Sequence, residues 1–114
     1  MAICKRFNEW AAEGGVELPK LAYPSYFDGG LVGMKAREPI KHREAFIKVP
    51  YKFLLTVDST EKHPLLGQVI EENPQLFSED VHTDRDVLIL TLRLIFEYQC
   101  GEGSFWKPYL DLMP

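Results

Sequence analysis

The chain has 114 residues, of which 46% are hydrophobic and 26% are charged, and its formal net charge is −4 at neutral pH. This length and composition are typical of one globular domain that buries a core of its own. The acidic balance argues against a nucleic-acid-binding protein, because neutralising phosphates requires an excess of Lys and Arg.

Three further classes of protein or site are disfavoured by the sequence. The longest apolar run, residues 87–92, is interrupted by Thr91 and is far shorter than the roughly 20 residues of a membrane span. The first residues lack the apolar core of a secretory signal, which predicts an intracellular protein, cytoplasmic or nuclear, with an organellar location left open. Cys4 and Cys100 are far apart and the histidines are scattered, so we expect reduced thiols and no metal site.

An amphipathic helix is predicted at the start of the chain. Apolar residues recur at helical spacing over residues 3–13, and charged residues occupy the opposite side. Gly14 and Gly15 follow, and glycine is favoured where a helix ends in a left-handed conformation. We expect this helix to dock through a face that carries Ile3, Phe7, Trp10 and Ala11.

A small antiparallel β unit is predicted next. Residues 18–24 contain two prolines and are expected to be extended. Asp28, Gly29 and Gly30 form a turn signal, and the polar residues 38–44 predict a second turn. The predicted strands, of which the last is a short strand or an extended run, cover residues 31–37, 45–49 and 52–57.

The second half of the chain has helical patterns, and strands followed by helices predict an α+β fold. Residues 64–72 form one predicted helix, with a face of Leu65, Leu66, Val69 and Ile70. The clearest helix follows Thr83, an N-cap candidate, and stops at Gly101. It is apolar nearly all round, which is typical of a helix buried on more than one side. A last short helix is predicted from about Ser104.

Four blocks of the sequence resemble SET-domain protein methyltransferases of the Rubisco large-subunit and actin-histidine type. The first, residues 33–40 followed by Glu44, is similar to the opening hairpin of that family. The second and third, residues 47–59 and 90–97, are similar to its Val-Pro stretch and its Leu-rich helix. The fourth is the most specific, because Ser-Phe-Trp-Lys-Pro-Tyr at residues 104–109 and the final Leu-Met-Pro both match the family pattern.

The resemblance implies part of an enzyme that binds S-adenosylmethionine and methylates a lysine or histidine side chain of a protein substrate. The implied cofactor contacts come from backbone groups of the opening turn and from a short segment after the Val-Pro stretch. Leu31 stands where the family usually has glycine. Carried over to this chain, the implied cofactor-binding residues are Gly29, Leu31, Val32, Gly33, Asp58, Ser59 and Thr60.

The resemblance also implies that these 114 residues hold no catalytic residue and are inactive alone. The family's Asn-His motif and catalytic tyrosine lie further along the chain than the four blocks, and we expect the natural chain to continue past Pro114. The implied architecture is a single, partial SET domain. Its parts are an N-terminal helix and lead-in (residues 1–28), the opening strands (residues 29–60) and the helical start of an inserted region (residues 61–114).

A second hypothesis is a non-catalytic interaction module derived from a SET domain. It would bind a protein partner or a second copy of itself, and neither hypothesis includes a membrane or nucleic-acid partner. Asp58 and Ser59 could instead form a simple turn, and Glu97 is expected either to be a buried, paired carboxylate or to lie at an edge position. Self-association is predicted from an exposed C-terminal aromatic segment that contains Phe105, Trp106 and Leu112.

Overall fold

A computed structural model describes residues 2–78 and 84–114 of the chain. Within those ranges the chain forms six α-helices and one two-stranded antiparallel sheet, which confirms the predicted α+β class. The elements are α1 (Ala2–Glu13), β1 (Leu21–Phe27), β2 (Leu31–Ala36), α2 (Val57–Glu61), α3 (Pro64–Glu72), α4 (Pro74–Phe77), α5 (Arg85–Cys100) and α6 (Lys107–Leu110).

The chain divides into two compact units. Unit 1 comprises Met1–Phe53 and Pro108–Pro114, and unit 2 comprises Leu54–Lys107. The single partial domain with three parts, which the resemblance implies, stays a prediction. In the described part of the chain, no helix has both the length and the apolar character that crossing a bilayer requires.

Helix α1 confirms the predicted N-terminal helix and, apart from Ile3, its predicted face, since Phe7 and Trp10 pack against other aromatic rings of unit 1. Ala11 is buried as expected, whereas Ile3 is exposed and Cys4 is buried in its place. A one-residue step rotates the position by about 100° on a helix, so the apolar face is turned toward the small, readily buried cysteine. Gly15 has a φ of 95°, which confirms the left-handed end of the helix.

Strands β1 and β2 form an antiparallel hairpin. A 3₁₀ turn, Asp28–Gly30, connects them, and its two glycines have φ values of 81° and 79°. These left-handed conformations explain why glycine occupies both positions, and they confirm the predicted turn. The strand predicted over residues 31–37 is confirmed as β2, but its partner is the preceding strand rather than residues 45–49.

Two predicted strands are wrong. Residues 45–49 make only one isolated bridge, in which the backbones of Glu17 and Lys48 exchange two hydrogen bonds of 2.9 Å. In place of the strand over residues 52–57, the chain has a 3₁₀ turn, Tyr51–Phe53, and then the start of α2. The reason is a capping box at Thr56, whose favourable helix start outweighs the strand preference of the large apolar residues before it.

The core of unit 1 joins α1 to β1 through aromatic contacts. The ring of Phe7 meets Tyr23 edge-on with 5.6 Å between centroids, and Trp10 meets Phe53 at 4.5 Å. Edge-to-face pairs at such distances add to the stabilisation from burial alone. The side-chain amide of Asn8 donates to the carbonyl oxygen of Tyr23 at 2.9 Å, so one polar contact fixes how α1 lies on the strand.

The core of unit 2 is formed by α2, α3 and α5. Leu66 and Ile70 of α3 are buried, as predicted, and Ile89 of α5 is fully buried. Thr60 of α2 is also fully buried, and its hydroxyl is satisfied within its own helix. Leu65 belongs to the predicted apolar face of α3 but is exposed, so that face is narrower than predicted.

Helix α5 confirms the predicted helix that stops at Gly101. Thr83, the predicted N-cap, lies outside the described residues, and the cap of α5 is Asp84, whose carboxylate accepts from the backbone N–H of Asp86 at 3.0 Å. This helix contacts α2, α3 and α4, which agrees with the prediction that it is buried on more than one side. One side of it is exposed and carries Val87, Ile95 and Tyr98.

The helix in the C-terminal segment is shorter than predicted, and the segment is more buried than predicted. Helix α6 starts at Lys107 and not at Ser104, which is buried and engaged in side-chain hydrogen bonds. Trp106 is 6% exposed, so the predicted exposed aromatic segment is wrong at that residue. Leu112 is half-buried, and Phe105 alone of the three is exposed.

Arg43 is the one non-glycine residue with a positive φ in the described ranges, at 60°. This conformation costs a residue with a Cβ about 1–2 kcal/mol, and the greater flexibility of unfolded glycine offsets about 0.5–1 kcal/mol. We therefore expect Arg43→Gly to raise the free energy of unfolding by about 0.5–1 kcal/mol in urea titrations. Arg43→Lys should leave it unchanged, and a loss of stability in Arg43→Gly would contradict the strain argument.

Candidate functional site

The predicted cofactor-binding residues fall into two groups, and each group belongs to a different unit. The first group, in the hairpin of unit 1, is called the glycine turn and comprises residues 28–33. The second group lies in α2 of unit 2. The glycine turn contains the predicted residues Gly29, Leu31, Val32 and Gly33, and α2 contains Asp58, Ser59 and Thr60.

The glycine turn leaves its backbone accessible. Among the described residues, a Cβ placed on Gly29 or on Gly30 would have no atom within 4 Å other than those of the glycine and its two chain neighbours. Leu31 is 67% exposed, and Val32 beside it is also exposed. Because no side chain covers the two glycines, an approaching ligand could reach the peptide groups of this turn directly.

Gly33 lies one step further along β2, opposite Ser25 of β1. A Cβ at this position would meet only the ring of Phe27, at 3.5 Å, which is an ordinary van der Waals distance. Unlike Gly29 and Gly30, Gly33 does not have a positive φ. The fold would therefore accept alanine at position 33, and local packing does not account for the glycine.

The predicted residues in α2 already have partners within their own unit. The carboxylate of Asp58 pairs with Lys62 at 2.9 Å, one helical turn later. Ser59 and Thr56 cap the helix reciprocally, through backbone-to-hydroxyl hydrogen bonds of 3.0 and 3.3 Å. The hydroxyl of buried Thr60 donates to the carbonyl oxygen of Thr56 at 2.8 Å. These contacts begin and stabilise α2, and of the three side chains only Asp58 and Ser59 face solvent.

A buried polar cluster in unit 2 joins α5 to the segment after it. Glu97 is 6% exposed, and it accepts hydrogen bonds from Nε of Arg93 at 2.9 Å and from the hydroxyl of Ser104 at 2.5 Å. That hydroxyl in turn accepts from the backbone N–H of Trp106 at 3.0 Å. The predicted buried and paired carboxylate is confirmed. Ser104 was missed as its partner, although the Ser-Phe-Trp sequence marks the position.

Unit 1 contains a pocket of about 600 Å³ that the sequence did not indicate. Most of its lining residues are apolar, and three polar side chains, those of Asn8, Tyr23 and Arg37, contribute to its walls. Tyr23 also borders the pocket, and burial, followed by a hydrogen bond with Cys4, raises the pKa of its hydroxyl. The main lining residues are Asn8, Ala11, Val16, Leu18, Leu21 and Arg37.

Lys20 fixes the polar loop over residues 38–44. Its ammonium group lies 2.6 Å from a carboxylate oxygen of Glu44 and donates to the carbonyl oxygen of Pro39 at 3.1 Å. The other carboxylate oxygen of Glu44 accepts from the backbone N–H of Lys41 at 2.7 Å. The hydrogen bond from Lys20, with help from that N–H, holds the pKa of Glu44 below 4.5, and the same pair raises the pKa of Lys20 above 10.5.

The lowered pKa of Glu44 predicts a measurable response to removal of Lys20. The contribution of Glu44 to stability is present above its unfolded pKa and is lost as the pH falls through its lowered folded pKa. The contribution of Lys20 is present below its unfolded pKa and is lost as the pH rises through its raised folded pKa. We expect Lys20→Met to move the pKa of Glu44 up toward 4.5 in an NMR carboxyl titration. Lys5→Met, at an exposed pair with Glu9, should leave it in place, and an unchanged Glu44 in Lys20→Met would contradict the assignment.

No group of three or more His, Cys, Asp or Glu side chains arranged to hold a metal ion occurs within residues 2–78 and 84–114. The acidic side chains of the two described clusters are engaged by cations of the chain itself. Lys20 holds Glu44, and Arg93 holds Glu97.

Comparison with known proteins gives one consistent group of relatives. No protein-family model matches the chain, and no solved structure matches it significantly. The chain is similar to proteins named actin-histidine N-methyltransferase. It is 29% identical over 114 residues to that of Drosophila melanogaster, which covers 100% of this chain and 19% of the relative. It is 32% and 31% identical over 107 residues to those of Rhinolophus ferrumequinum and Homo sapiens, which covers 93% of this chain and 16% of each relative.

The chain thus spans less than a fifth of the length of these relatives, while the relatives match all or nearly all of the chain. Their shared name and the extent of the match support a methyltransferase family for this chain.

Proposed function

We propose that the chain is part of an S-adenosylmethionine-dependent protein N-methyltransferase of the SET type that acts inside the cell on a lysine or histidine side chain. The observation that carries this proposal is the match of named methyltransferases to 93–100% of the chain. The relatives' name makes a histidine of actin the first acceptor to test. S-adenosylmethionine would supply the methyl group from its sulfonium.

The proposed role of unit 1 is to hold the cofactor through the backbone of the glycine turn. Three features support this role. Gly29 and Gly30 leave the peptide groups uncovered, and Gly33 is a glycine that packing does not require. Leu31 stands where the family that this sequence resembles has glycine. The backbone of Leu31 remains available, because its exposed side chain does not cover the turn.

The proposed role of α2 rests on Asp58. Its carboxylate faces solvent and is held by a single exposed lysine, Lys62, which a ligand's cationic group could replace. The hydroxyls of Ser59 and Thr60 serve α2 itself, so we propose that these two residues position Asp58 and do not bind the cofactor through their side chains.

A titration of the ¹⁵N-labelled chain with S-adenosylmethionine tests the cofactor proposal. We expect the amide signals of residues 29–33 to shift in a saturable manner, and ATP, which shares the adenosine, to act more weakly. Gly33→Ala should weaken the response, because its methyl group fits the hairpin but occupies the approach to the backbone. Gly103→Ala, where a Cβ meets nothing within 4 Å, is the matched control. Shifts confined to other residues, or an undiminished response in Gly33→Ala, would refute the proposed contact.

We also propose that the 114 residues do not transfer a methyl group alone. Transfer requires donor and acceptor in near-attack geometry and a deprotonated acceptor nitrogen. In the resembling family, the residues that provide both lie beyond the matched blocks. We expect the purified chain to transfer no tritiated methyl to actin above a blank without protein. Transfer that exceeds the blank, and that Gly33→Ala reduces, would overturn the proposed inactivity.

A non-catalytic interaction module is the second candidate, and one observation favours it. The end of the hairpin exposes several large apolar side chains on its two faces, and exposed apolar surface is typical of binding sites. Concentration-dependent mass in sedimentation, together with no response to S-adenosylmethionine, would favour this candidate over the first. The exposed side chains are Tyr26, Phe27, Leu31, Val32 and Met34.

A further inference from the structure

Three consecutive basic side chains form an exposed turn in unit 1. Lys41, His42 and Arg43, here called the basic turn, are all exposed. None of their side chains forms a hydrogen bond or an ion pair within residues 2–78 and 84–114, and the two hydrogen bonds of Lys41 there, both with Glu44, are made by its backbone. The cationic groups of the turn are therefore available to a ligand from outside the chain.

Within residues 2–78 and 84–114, the acidic residues on either side of the basic turn form no ion pair with its side chains, although one carboxylate oxygen of Glu44 accepts from the backbone N–H of Lys41. The carboxylate of Glu44 pairs with the ammonium group of Lys20 at 2.6 Å. The pKa of Lys20 is raised chiefly by Glu44, and the negative charge of Glu38 adds a smaller rise. Lys20 thus attracts both carboxylates of the loop. In the described part of the chain, no carboxylate pairs with the ammonium group of Lys41 or the guanidinium group of Arg43.

The basic turn is also held in one conformation. At the first end of the loop, Lys20 bonds to the carbonyl oxygen of Pro39, and the backbone N–H of Arg37 donates to the carbonyl oxygen of Lys20 at 2.8 Å. At the other end Lys20 pairs with Glu44, so both ends of the loop are tied to the segment before β1. Within it, Arg43 adopts a left-handed conformation that glycine would adopt without strain. A strained residue whose side chain is free is a reason to look for a function of that side chain.

We infer that the basic turn is a docking site for a carboxylate-rich segment of a partner protein. Two cations on a fixed turn match a short run of Asp or Glu, which exposed lysine and arginine bind through short-range, salt-sensitive contacts. The inference does not depend on cofactor binding or on methyl transfer.

Fluorescence anisotropy with a labelled octaglutamate peptide tests this inference. We expect saturable binding to the 114-residue chain at about 20 mM salt that weakens at about 150 mM salt. Lys41→Ala and Arg43→Gly should each weaken binding about two- to fivefold, and the double variant should combine the two losses. Lys5→Ala, which removes one exposed charge from α1 of the same unit, should bind as the wild type does.

The choice of variants separates binding from folding. Arg43→Gly removes the charge while relieving backbone strain, and Arg43→Lys keeps the charge, so only the first should lose affinity. Absence of octaglutamate binding to the wild type, or equal affinity of Arg43→Gly, would overturn the inference. It would also be overturned if a DNA duplex bound more tightly than the peptide and lost affinity in the same variants, because the site would then recognise phosphate.

Discussion

Replacing Glu97 by alanine is expected to lower the free energy of unfolding by about 3–5 kcal/mol. The substitution removes the partner of Arg93, whose side chain is 13% exposed, and leaves a buried cation without a counter-charge. It also removes the acceptor of the Ser104 hydroxyl, which in turn holds the backbone of Trp106. Removing one member of a buried and fully bonded group costs more than the group contributes as a whole, because the remaining members lose their partners.

Chemical denaturation followed by circular dichroism measures this effect. Glu71→Ala, an exposed glutamate of α3 in the same unit, is the matched control and should change stability by less than about 0.5 kcal/mol. Ser104→Ala should lose less than Glu97→Ala, because it leaves the pair of Glu97 with Arg93 intact. A loss below about 1 kcal/mol in Glu97→Ala would show that the cluster is hydrated and not sequestered.

Replacing Gly67 by alanine is expected to lower the free energy of unfolding by about 1–3 kcal/mol. Gly67 lies inside α3, where alanine would normally stabilise a helix by about 1 kcal/mol. Here a Cβ would collide with the backbone carbonyl oxygen of Glu61 at the end of α2, and backbone atoms cannot move aside as a flexible side chain can. The close approach of α3 to α2 therefore reverses the sign of an otherwise favourable substitution.

The sign of the change is what tests this argument. Gly103→Ala, where a Cβ meets no atom within 4 Å, is the control and should be close to neutral. If Gly67→Ala is as stable as the wild type or more stable, α2 and α3 are further apart than the structure places them. Thermal unfolding of the two variants in parallel gives the comparison directly.

Local sequence patterns were sufficient to predict most of the helices in the described residues. Helix α3 begins and ends at the predicted residues, because Pro64 favours a first helical position and Asn73 precedes a second proline. Strand pairing is not a local property, and there the prediction failed. Residues 18–24, which contain Pro24, were predicted only as an extended segment, whereas a register irregularity between Ala22 and Ser25 lets that proline lie within β1.

In the candidate site, too, the local features were predicted and the contacts between distant residues were not. The glycine turn follows from two adjacent glycines, and its positive φ values agree with the sequence. The interaction of Ser104 with Glu97 joins residues on separate elements, and the attraction of Glu44 to Lys20 spans more than twenty residues, so neither is encoded in a periodic pattern. Helix α2 was not predicted, although its Thr-x-x-Ser capping signal is present in the sequence. The prediction gave more weight to the strand preference of the large apolar residues before it.

Because unit 1 is built from two separate stretches of the chain, its contacts form in a particular order during synthesis. Its two stretches, Met1–Phe53 and Pro108–Pro114, are separated by all of unit 2, and Arg6 and Asp111 of unit 1 meet at 3.4 Å across that separation. On the ribosome, the contiguous unit 2 is complete before the last stretch of unit 1 has been made. Unit 1 is therefore the first to be translated but gains its full set of contacts only after unit 2, because Pro108–Pro114 is translated after Leu54–Lys107.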